Sequence, residues 1–198
     1  MKGIRVSERD PIRFYSWPVV GSLYRRRMER CLEYLNHGDS VLEIGFGSGV
    51  ALPYLTWKFS RVFGIDPESE IDAVENKRVH LRNGTVLNLP YVDDSFDAVL
   101  AISVLEHLKP YELDTACREI RRVLKPAGQF VYGVPIERKL MVFAFRLLGC
   151  KIREHHFSTE QDVFDCASDY FSMEDTETLK ALGLIEVYEI VSCQKACL

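Results

Sequence analysis

The chain has 198 residues, of which 47% are hydrophobic and 27% charged, and its formal net charge is −4 at pH 7. This length suits a single globular domain, and the small negative charge disfavours a dedicated nucleic-acid binder, which usually carries a basic excess. No apolar run of about 20 residues and no signal sequence is present, so we expect a cytoplasmic protein. The six cysteines contain no C-x-x-C pair, which predicts reduced thiols rather than a zinc site.

The first third of the chain alternates helices with short apolar strands. Apolar side chains recur near the helical period over residues 19–35, which predicts a helix. The segment SVLEIGF at 40–46 is typical of a buried strand, and SGVALPYLTWKF at 48–59 of the helix after it. A second strand is predicted for RVFGID at 61–66, and it ends in an acid.

The same alternation continues to residue 135. The predicted elements are a short helix at 69–77, a strand at 79–86 with a turn at Asn83-Gly84, a strand at 96–103, a helix at 111–125 that stops at Pro126, and a strand at 128–135. Five strands alternating with helices predict an α/β fold, a three-layer Rossmann-like and mostly parallel sheet with helices on both faces.

Four groups of residues fall at the carboxyl ends of four of these strands, where a parallel sheet binds its ligands. They are residues 43–49, Asp66, residues 84–86 and residues 101–103. Because the carboxyl ends of parallel strands share one edge of a sheet, the sequence predicts a single site built by four strand ends.

Beyond residue 135 the pattern is less regular. KLMVFAFRLLGC at 139–150 predicts an apolar helix, for which a lid over the acceptor, plain core, a dimer face and a surface that contacts lipid are alternatives. Two more helices are predicted at 158–171 and 172–183, each opened by a serine with an acid close behind. A late strand is predicted at 184–193, without a clear strand to pair with it.

The stretch VLEIGFGSG at 41–49 carries the information about the ligand. Its glycines follow a G-x-G-x-G pattern, whereas a dinucleotide site has G-x-G-x-x-G, and position 50 is a valine. The carboxylate of Glu43 would repel a diphosphate and attract an ammonium group, while Asp66 after the next strand can accept from ribose hydroxyls. A ribose combined with a cation indicates S-adenosylmethionine rather than a nicotinamide dinucleotide.

Four segments together resemble a known family. VLEIGFGSG, VFGIDPE, NGTVLNLPYVDDSFDAVLAISVLEHL and REIRRVLKPAGQFVYGVP are similar, in order and spacing, to the motifs of class I S-adenosylmethionine-dependent methyltransferases of the type 11 branch. The resemblance covers about residues 36–135. It implies one methyltransferase domain with an N-terminal helical cap at 1–36, a cofactor-binding core at 37–135, and a substrate-side lid and sheet edge at 136–198.

The resemblance also implies roles for individual residues. Glu43, Gly45, Gly47 and Gly49 would surround the methionine end of S-adenosyl-L-methionine, with the Ala101 carbonyl near its amino group. The adenosine would be held by Asp66 at the ribose, Pro67, Thr85 and Val86 at the adenine, and Tyr15 as a closing aromatic. Thr85 stands where the family usually has an acid, which predicts a weaker bond to the adenine amino group.

Glu106, His107 and His156 are the candidate catalytic residues, since they are predicted above the fourth strand or after the fifth. A histidine could act as the base that deprotonates the acceptor. Some relatives bind a divalent metal through E-x-x-E-H and a later histidine, but Ser103 replaces the first acid here, and no metal site is expected. The three alternatives for these residues are therefore a histidine base, a metal site, which is not expected, and a structural role in which they only pack and hydrogen-bond locally.

The function expected from the sequence is methyl transfer to a small-molecule or lipid-like acceptor, at oxygen, nitrogen or carbon. No nucleic-acid partner is expected, and peripheral contact with a membrane and the oligomeric state are left open. A catalytically inactive binding or regulatory protein of the same fold and a nicotinamide-dependent oxidoreductase are the alternatives.

Overall fold

The computed structural model describes residues 4–5, 18–71, 76–136, 156–181 and 183–196. Its helices are α1 (Pro18–Tyr34), α2 (Leu52–Lys58), α3 (Pro110–Val123) and α4 (Glu160–Ser168), with a 3₁₀ turn at Leu105–His107. Its strands are β1 (Ile4–Arg5), β2 (Gly38–Ile44), β3 (Phe59–Asp66), β4 (Glu70–Ile71), β5 (Val79–Asn83), β6 (Phe96–Ile102), β7 (Leu124–Pro135), β8 (Ser172–Ala181) and β9 (Ile185–Gln194).

Seven strands form one sheet in the order β5-β3-β2-β6-β7-β9-β8. The first five are parallel to one another, whereas β9 runs antiparallel to β7 and β8 antiparallel to β9. The short strands β1 and β4 pair separately. The strand order reverses at β2, which lies between β3 and β6, and this reversal opens a crevice at the carboxyl end of β2.

Helices cover both faces of the sheet, as the apolar strands require. On one face, α1 and α2 pack on Val41, Leu100 and Val131. On the other face, α3 and α4 pack on a cluster that includes Leu42 and Phe130. The predicted three-layer Rossmann-like α/β fold is therefore confirmed.

The prediction of a helix at 172–183 is wrong, because this segment is strand β8 and pairs along its length with β9. Gly183, with φ of +73°, lies in the connection between the two strands. The serine followed by an acid resembles a helix start, but pairing with a neighbouring strand overrides weak helix propensity. The late strand at 184–193 is confirmed as β9, and its missing partner is β8.

Other differences concern the bounds of the elements. The predicted helix at 69–77 begins instead with strand β4, and residues 72–75 lie outside the described part of the chain. Strand β7 begins at Leu124, directly after α3, so it includes Pro126 rather than starting at residue 128. The apolar segment at 139–150 also lies outside the described residues. Within the described ranges, no helix is both long enough and apolar enough to cross a bilayer.

Candidate active site

The turn after β2 has a backbone that glycine adopts without strain. The φ angles of Gly45, Gly47 and Gly49 are +69°, +48° and +72°, a region that residues with a Cβ rarely enter. A Cβ on Gly45 would lie 2.4 Å from Cγ2 of Val104. The Gly45 amide donates to the Ile65 carbonyl at 2.8 Å. The turn is thus held between the ends of β3 and β6, where the crevice opens.

Glu43 is a buried acid beside this turn, with only 4% of its surface exposed. Its Oε2 atom has no hydrogen-bond partner among the described residues. Burial, and then the charge of Asp66, raise the pKa of the Glu43 carboxyl to about 8. A buried carboxylate oxygen without a partner is costly, and an ammonium group would supply both opposite charge and donors. Glu43 therefore fits the amino end of a methionine-derived ligand better than a diphosphate.

Asp66, at the end of β3, is 7% exposed and bonds to the backbone around it. Its Oδ1 accepts from the amides of Glu68 at 2.9 Å and Ser69 at 2.8 Å. Its Oδ2 accepts from the amide of Gly47 at 3.0 Å. Ser69 in turn donates its hydroxyl to the Gly47 carbonyl at 3.0 Å. The acid thus orders the glycine turn, and its remaining lone pairs can accept from a ribose hydroxyl.

The residues predicted to contact adenine lie at the ends of β3 and β5. Pro67 is exposed, and its carbonyl accepts from Asn83 Nδ2 at 3.1 Å. Thr85 is also exposed, and its hydroxyl oxygen accepts from the amide of Leu87 at 3.3 Å. Val86 is buried. The hydroxyl that replaces the usual acid is therefore already bonded within its own turn.

A hydrogen-bonded cluster lies beyond Ala101, which is buried near the end of β6. Ser103 has a left-handed backbone with φ of +54°, and its Oγ lies 2.9 Å from the hydroxyl of Tyr188. Arg27 Nη1 donates to the same Oγ at 3.1 Å. Tyr188 belongs to β9, and its side chain passes over Gly133 of β7. A Cβ added to Gly133 would lie 2.5 Å from the tyrosine ring. The end of β6 is therefore tied to β9 and α1.

Glu106, His107 and His156 come together, although nearly fifty residues separate the histidines. One potential ligand atom of each lies within 4.8 Å of the others, and the two imidazole rings pack edge to face with centroids 4.8 Å apart. The amides of Phe157 and Ser158 donate to the Glu106 carbonyl at 2.8 Å and 3.2 Å. This pairing brings the segment before α4 against the 3₁₀ turn.

The geometry of this trio is compatible with two chemistries. Neighbouring imidazole and carboxylate groups can exchange a proton with an acceptor, and the same atoms could hold a divalent cation. Ser103 does not belong to the trio, because its hydroxyl bonds to Arg27 and Tyr188 instead. A cation at the Ser103 position would also be repelled by the guanidinium of Arg27.

Three residues that organise the site were not predicted from the sequence. Ser69, Arg27 and Tyr188 act through tertiary hydrogen bonds, and no motif or spacing marks them. Tyr15, the predicted closing aromatic, lies outside the described residues. The binding and catalytic roles of the other predicted residues remain predictions.

Comparison with known proteins gives the family. Residues 42–132 match the family model described as a methyltransferase domain. A probable S-adenosylmethionine-dependent methyltransferase of Mycolicibacterium smegmatis is 34% identical over 116 residues, which are 57% of this chain and 42% of that protein. A fatty-acid O-methyltransferase of the same species is 31% identical over 137 residues, which are 66% of this chain and 47% of that protein. The chain thus spans less than half the length of these two relatives.

The fold has close counterparts among solved structures. The N-methyltransferase NodS from Bradyrhizobium japonicum WM9 superposes with a TM-score of 0.69 at 16% sequence identity, covering 89% of this chain and 98% of that one. Strand order, glycine turn and matched segment define a class I methyltransferase domain. Residues 42–132 are therefore a methyltransferase domain of the type 11 branch, and S-adenosyl-L-methionine is the cofactor of that family, as the motifs predict.

Proposed function

We propose that this protein transfers a methyl group from S-adenosyl-L-methionine to a small-molecule or lipid-like acceptor. The observation that supports this most directly is the buried Glu43 carboxylate, whose Oε2 has no partner among the described residues and which lies beside a glycine turn ordered by Asp66. The carboxylate of Glu43 suits the ammonium group of the cofactor, and the nearby carboxylate of Asp66 can accept hydrogen bonds from its ribose. Together the two acids match the two polar ends of this cofactor.

In this proposal the two ends of the cofactor are held by different strand ends. Glu43 and the carbonyl of Ala101 would accept from the amino group, while Gly45, Gly47 and Gly49 leave space for the methionine chain. Asp66 would accept from the ribose through its remaining lone pairs. Pro67, Thr85 and Val86 would contact the adenine ring, and Tyr15 would close the pocket.

The bound cofactor supplies an activated methyl group on a positively charged sulfur. The protein must then align the acceptor in line with that bond and remove its proton. We assign proton removal to His107 or His156, and Glu106 to orienting them, because their polar atoms converge within 4.8 Å. A divalent cation held by the same three residues would be the alternative way to favour the deprotonated acceptor.

A nicotinamide dinucleotide suits this site less well. Its diphosphate would approach the buried Glu43 carboxyl, and negative charge at that point is unfavourable in a low-dielectric environment. Val50 also stands one residue after Gly49, where the dinucleotide pattern has its third glycine. The charge and spacing therefore favour the sulfonium cofactor.

A small, partly apolar acceptor is the substrate class we propose. The net charge of −4 disfavours RNA, and one relative at 31% identity is a fatty-acid O-methyltransferase. We expect the protein to act in the cytoplasm; the roles predicted for the apolar segment at 139–150, as a lid over the acceptor or a surface that contacts lipid, stay predictions, because this segment lies outside the described residues.

The test is to incubate the protein with methyl-labelled S-adenosylmethionine and a cell extract, which is then separated into small-molecule, lipid, RNA and protein fractions. Label is expected in the small-molecule or lipid fraction and is expected to fall at least ~10-fold in His107→Ala or His156→Ala. The control His37→Ala changes an exposed histidine just before β2 and should retain full labelling.

Two results would contradict the proposal. Label recovered only in RNA or protein would refute the acceptor class. Cofactor binding without transfer to any fraction would support the inactive binding protein instead.

A further inference from the structure

Helices α3 and α4 bring two cysteines together on the face of the sheet that they cover. The Sγ atoms of Cys117 in α3 and Cys166 in α4 are 3.7 Å apart, and both cysteines are free thiols. A second contact lies beside this pair: the hydroxyl of Tyr170, two residues after the end of α4, donates to the carboxylate of Asp114, which lies in α3 one turn before Cys117. The approach of the two sulfurs is thus set by packed helices rather than by a loose loop.

We propose that Cys166 is a modification site for low-molecular-weight disulfides, and that Cys117 converts the modified thiol into a disulfide between α3 and α4. Cys166 is half-buried, so a small disulfide can reach it, whereas Cys117 is fully buried. The half-buried thiol of Cys166 therefore reacts with the small disulfide, and the fully buried thiol of Cys117 reacts only with its neighbour.

The reaction balances with one small disulfide as the oxidant. The Cys166 thiolate attacks one sulfur of this disulfide, forms a mixed disulfide and releases the first small thiolate. Cys117 then loses its proton, and its thiolate attacks the Cys166 sulfur, which releases the second small thiolate. The two protons of the cysteine thiols end on the two released thiolates, so two cysteines are oxidised and one disulfide is reduced to two thiols.

The surroundings of the four described cysteines favour Cys166 as the reactive one. The hydrogen bond between Cys166 and Cys117 lowers the pKa of the Cys166 thiol below its ordinary value. Burial raises the pKa of Cys31 to about 12 and also raises that of Cys193. Thiolates rather than thiols react with disulfides, and Cys31 and Cys193 are fully buried.

The second step becomes easier once the first has occurred. The Cys117 pKa is raised mainly by its hydrogen bond to Cys166 and then by burial. After Cys166 has formed a mixed disulfide it no longer carries a thiolate, so the main cause of this rise is removed. Closing the bond requires the two sulfurs to approach from 3.7 Å to about 2.05 Å.

Disulfide formation would act on the segment that carries His156. The amides of Phe157 and Ser158 bond to Glu106, the Ser158 hydroxyl donates to the Leu108 carbonyl at 2.6 Å, and α4 starts at Glu160 directly afterwards. A bond between Cys117 and Cys166 would hold α4 against α3 and limit movement of this segment. It would also close a long loop and raise the melting temperature by roughly 5 to 10 °C.

The test uses the folded, fully reduced chain incubated with oxidised glutathione, followed by thiol counting, peptide mapping by mass spectrometry and thermal melting. We expect loss of two thiols, a cross-linked peptide pair containing Cys117 and Cys166, and a higher melting temperature, all reversed by dithiothreitol. Cys166→Ser should abolish both the cross-link and the change in melting temperature. Cys117→Ala should stop at a glutathione adduct on Cys166.

Three results would overturn the proposal. A stable glutathione adduct on Cys166 in the unmutated chain would exclude the resolving step. A cross-link between other cysteines would exclude the pair, and thiols that react only after denaturation would exclude the modification site. The readout needs neither cofactor nor acceptor, so its failure would leave the methyltransferase proposal intact.

Discussion

At the scale of single residues, the candidate cofactor site depends on two buried acids and three left-handed glycines. Asp66 accepts three backbone amides, so it shapes the turn as well as presenting a carboxylate. Glu43 makes no comparable bond through Oε2 within the described residues. Asp66 is therefore satisfied without a ligand, whereas Oε2 of Glu43 has no partner within the described ranges, which is consistent with the cation that we propose it binds.

Gly45→Ala should destabilise the protein more than Gly183→Ala. Both glycines have φ near +70°, so each substitution carries a backbone cost of about 1 kcal/mol. At Gly45 the new Cβ would also meet Val104, whereas at Gly183 no atom of the described part of the chain, apart from its neighbours in sequence, lies within 4 Å. Urea unfolding should give a loss of about 3 kcal/mol at Gly45 and about 1 kcal/mol at Gly183.

The double variant Gly45→Ala/Val104→Ala separates the two causes of instability at Gly45, which are the left-handed backbone and the clash with Val104. Removing the Val104 methyl groups should recover the part that is due to the clash and leave the backbone part. Equal losses at Gly45 and Gly183 would contradict the close approach between the glycine turn and Val104.

The raised pKa of Glu43 predicts that the stability of the ligand-free protein depends on pH. The carboxyl titrates near 8 in the folded chain, compared with an ordinary value of 4.5. The folded state therefore binds the proton more tightly, and the free energy of unfolding should fall as pH rises from about 4.5 to 8. Titration of Glu43 alone can lower the free energy of unfolding by at most about 1.4 kcal/mol per pH unit.

Glu43→Gln provides the control, because an amide does not titrate. Urea unfolding between pH 5.5 and 7.5 should show a steeper decline for the unmutated chain than for the variant. Saturating S-adenosylmethionine should reduce this difference, since its ammonium group stabilises the ionised carboxylate. Parallel pH profiles without ligand would contradict the burial of a titrating Glu43.

At the scale of secondary-structure elements, the sequence predicted strand β9 but not strand β8, and therefore not the hairpin that the two strands form. Strand β9 does more than extend the sheet, because Tyr188 reaches across β7 to Ser103 at the end of β6. The local pattern at Ser172 resembles the start of a helix, but the segment forms a strand because it pairs with β9. Such long-range pairing has no local mark in a single sequence.

Tyr188→Phe and Tyr132→Phe form a matched pair that tests this bridge. Both side chains are buried, but the Tyr188 hydroxyl bonds to Ser103, whereas that of Tyr132 has no partner among the described residues. Loss of the bonded hydroxyl should lower the free energy of unfolding by about 1 to 2 kcal/mol, and loss of the other should be near neutral. Denaturant unfolding measures both, and equal effects would contradict the bridge.

At the scale of the whole molecule, strand order explains why so much of the site could be predicted. Glu43, Asp66, Thr85 and Ala101 follow or end parallel strands, so their convergence was predicted from the alternation of elements alone. The contacts of Ser69 and Arg27 depend on how turns and helices pack, which spacing does not encode. The position of His156 beside His107 depends on the amides of residues 157–158, again a tertiary contact.

The crevice at the end of β2 is expected to bind a sulfonium nucleoside rather than a dinucleotide. Calorimetric titration of the full chain with S-adenosylmethionine and with NAD tests it most directly. Asp66→Asn should weaken S-adenosylmethionine binding at least ~10-fold, while Asp39→Asn, at the opposite end of β2 and half-exposed, should leave it unchanged. We predict saturable binding of S-adenosylmethionine and none of NAD; tight NAD binding without a response to S-adenosylmethionine would contradict the assignment of this crevice to the sulfonium cofactor.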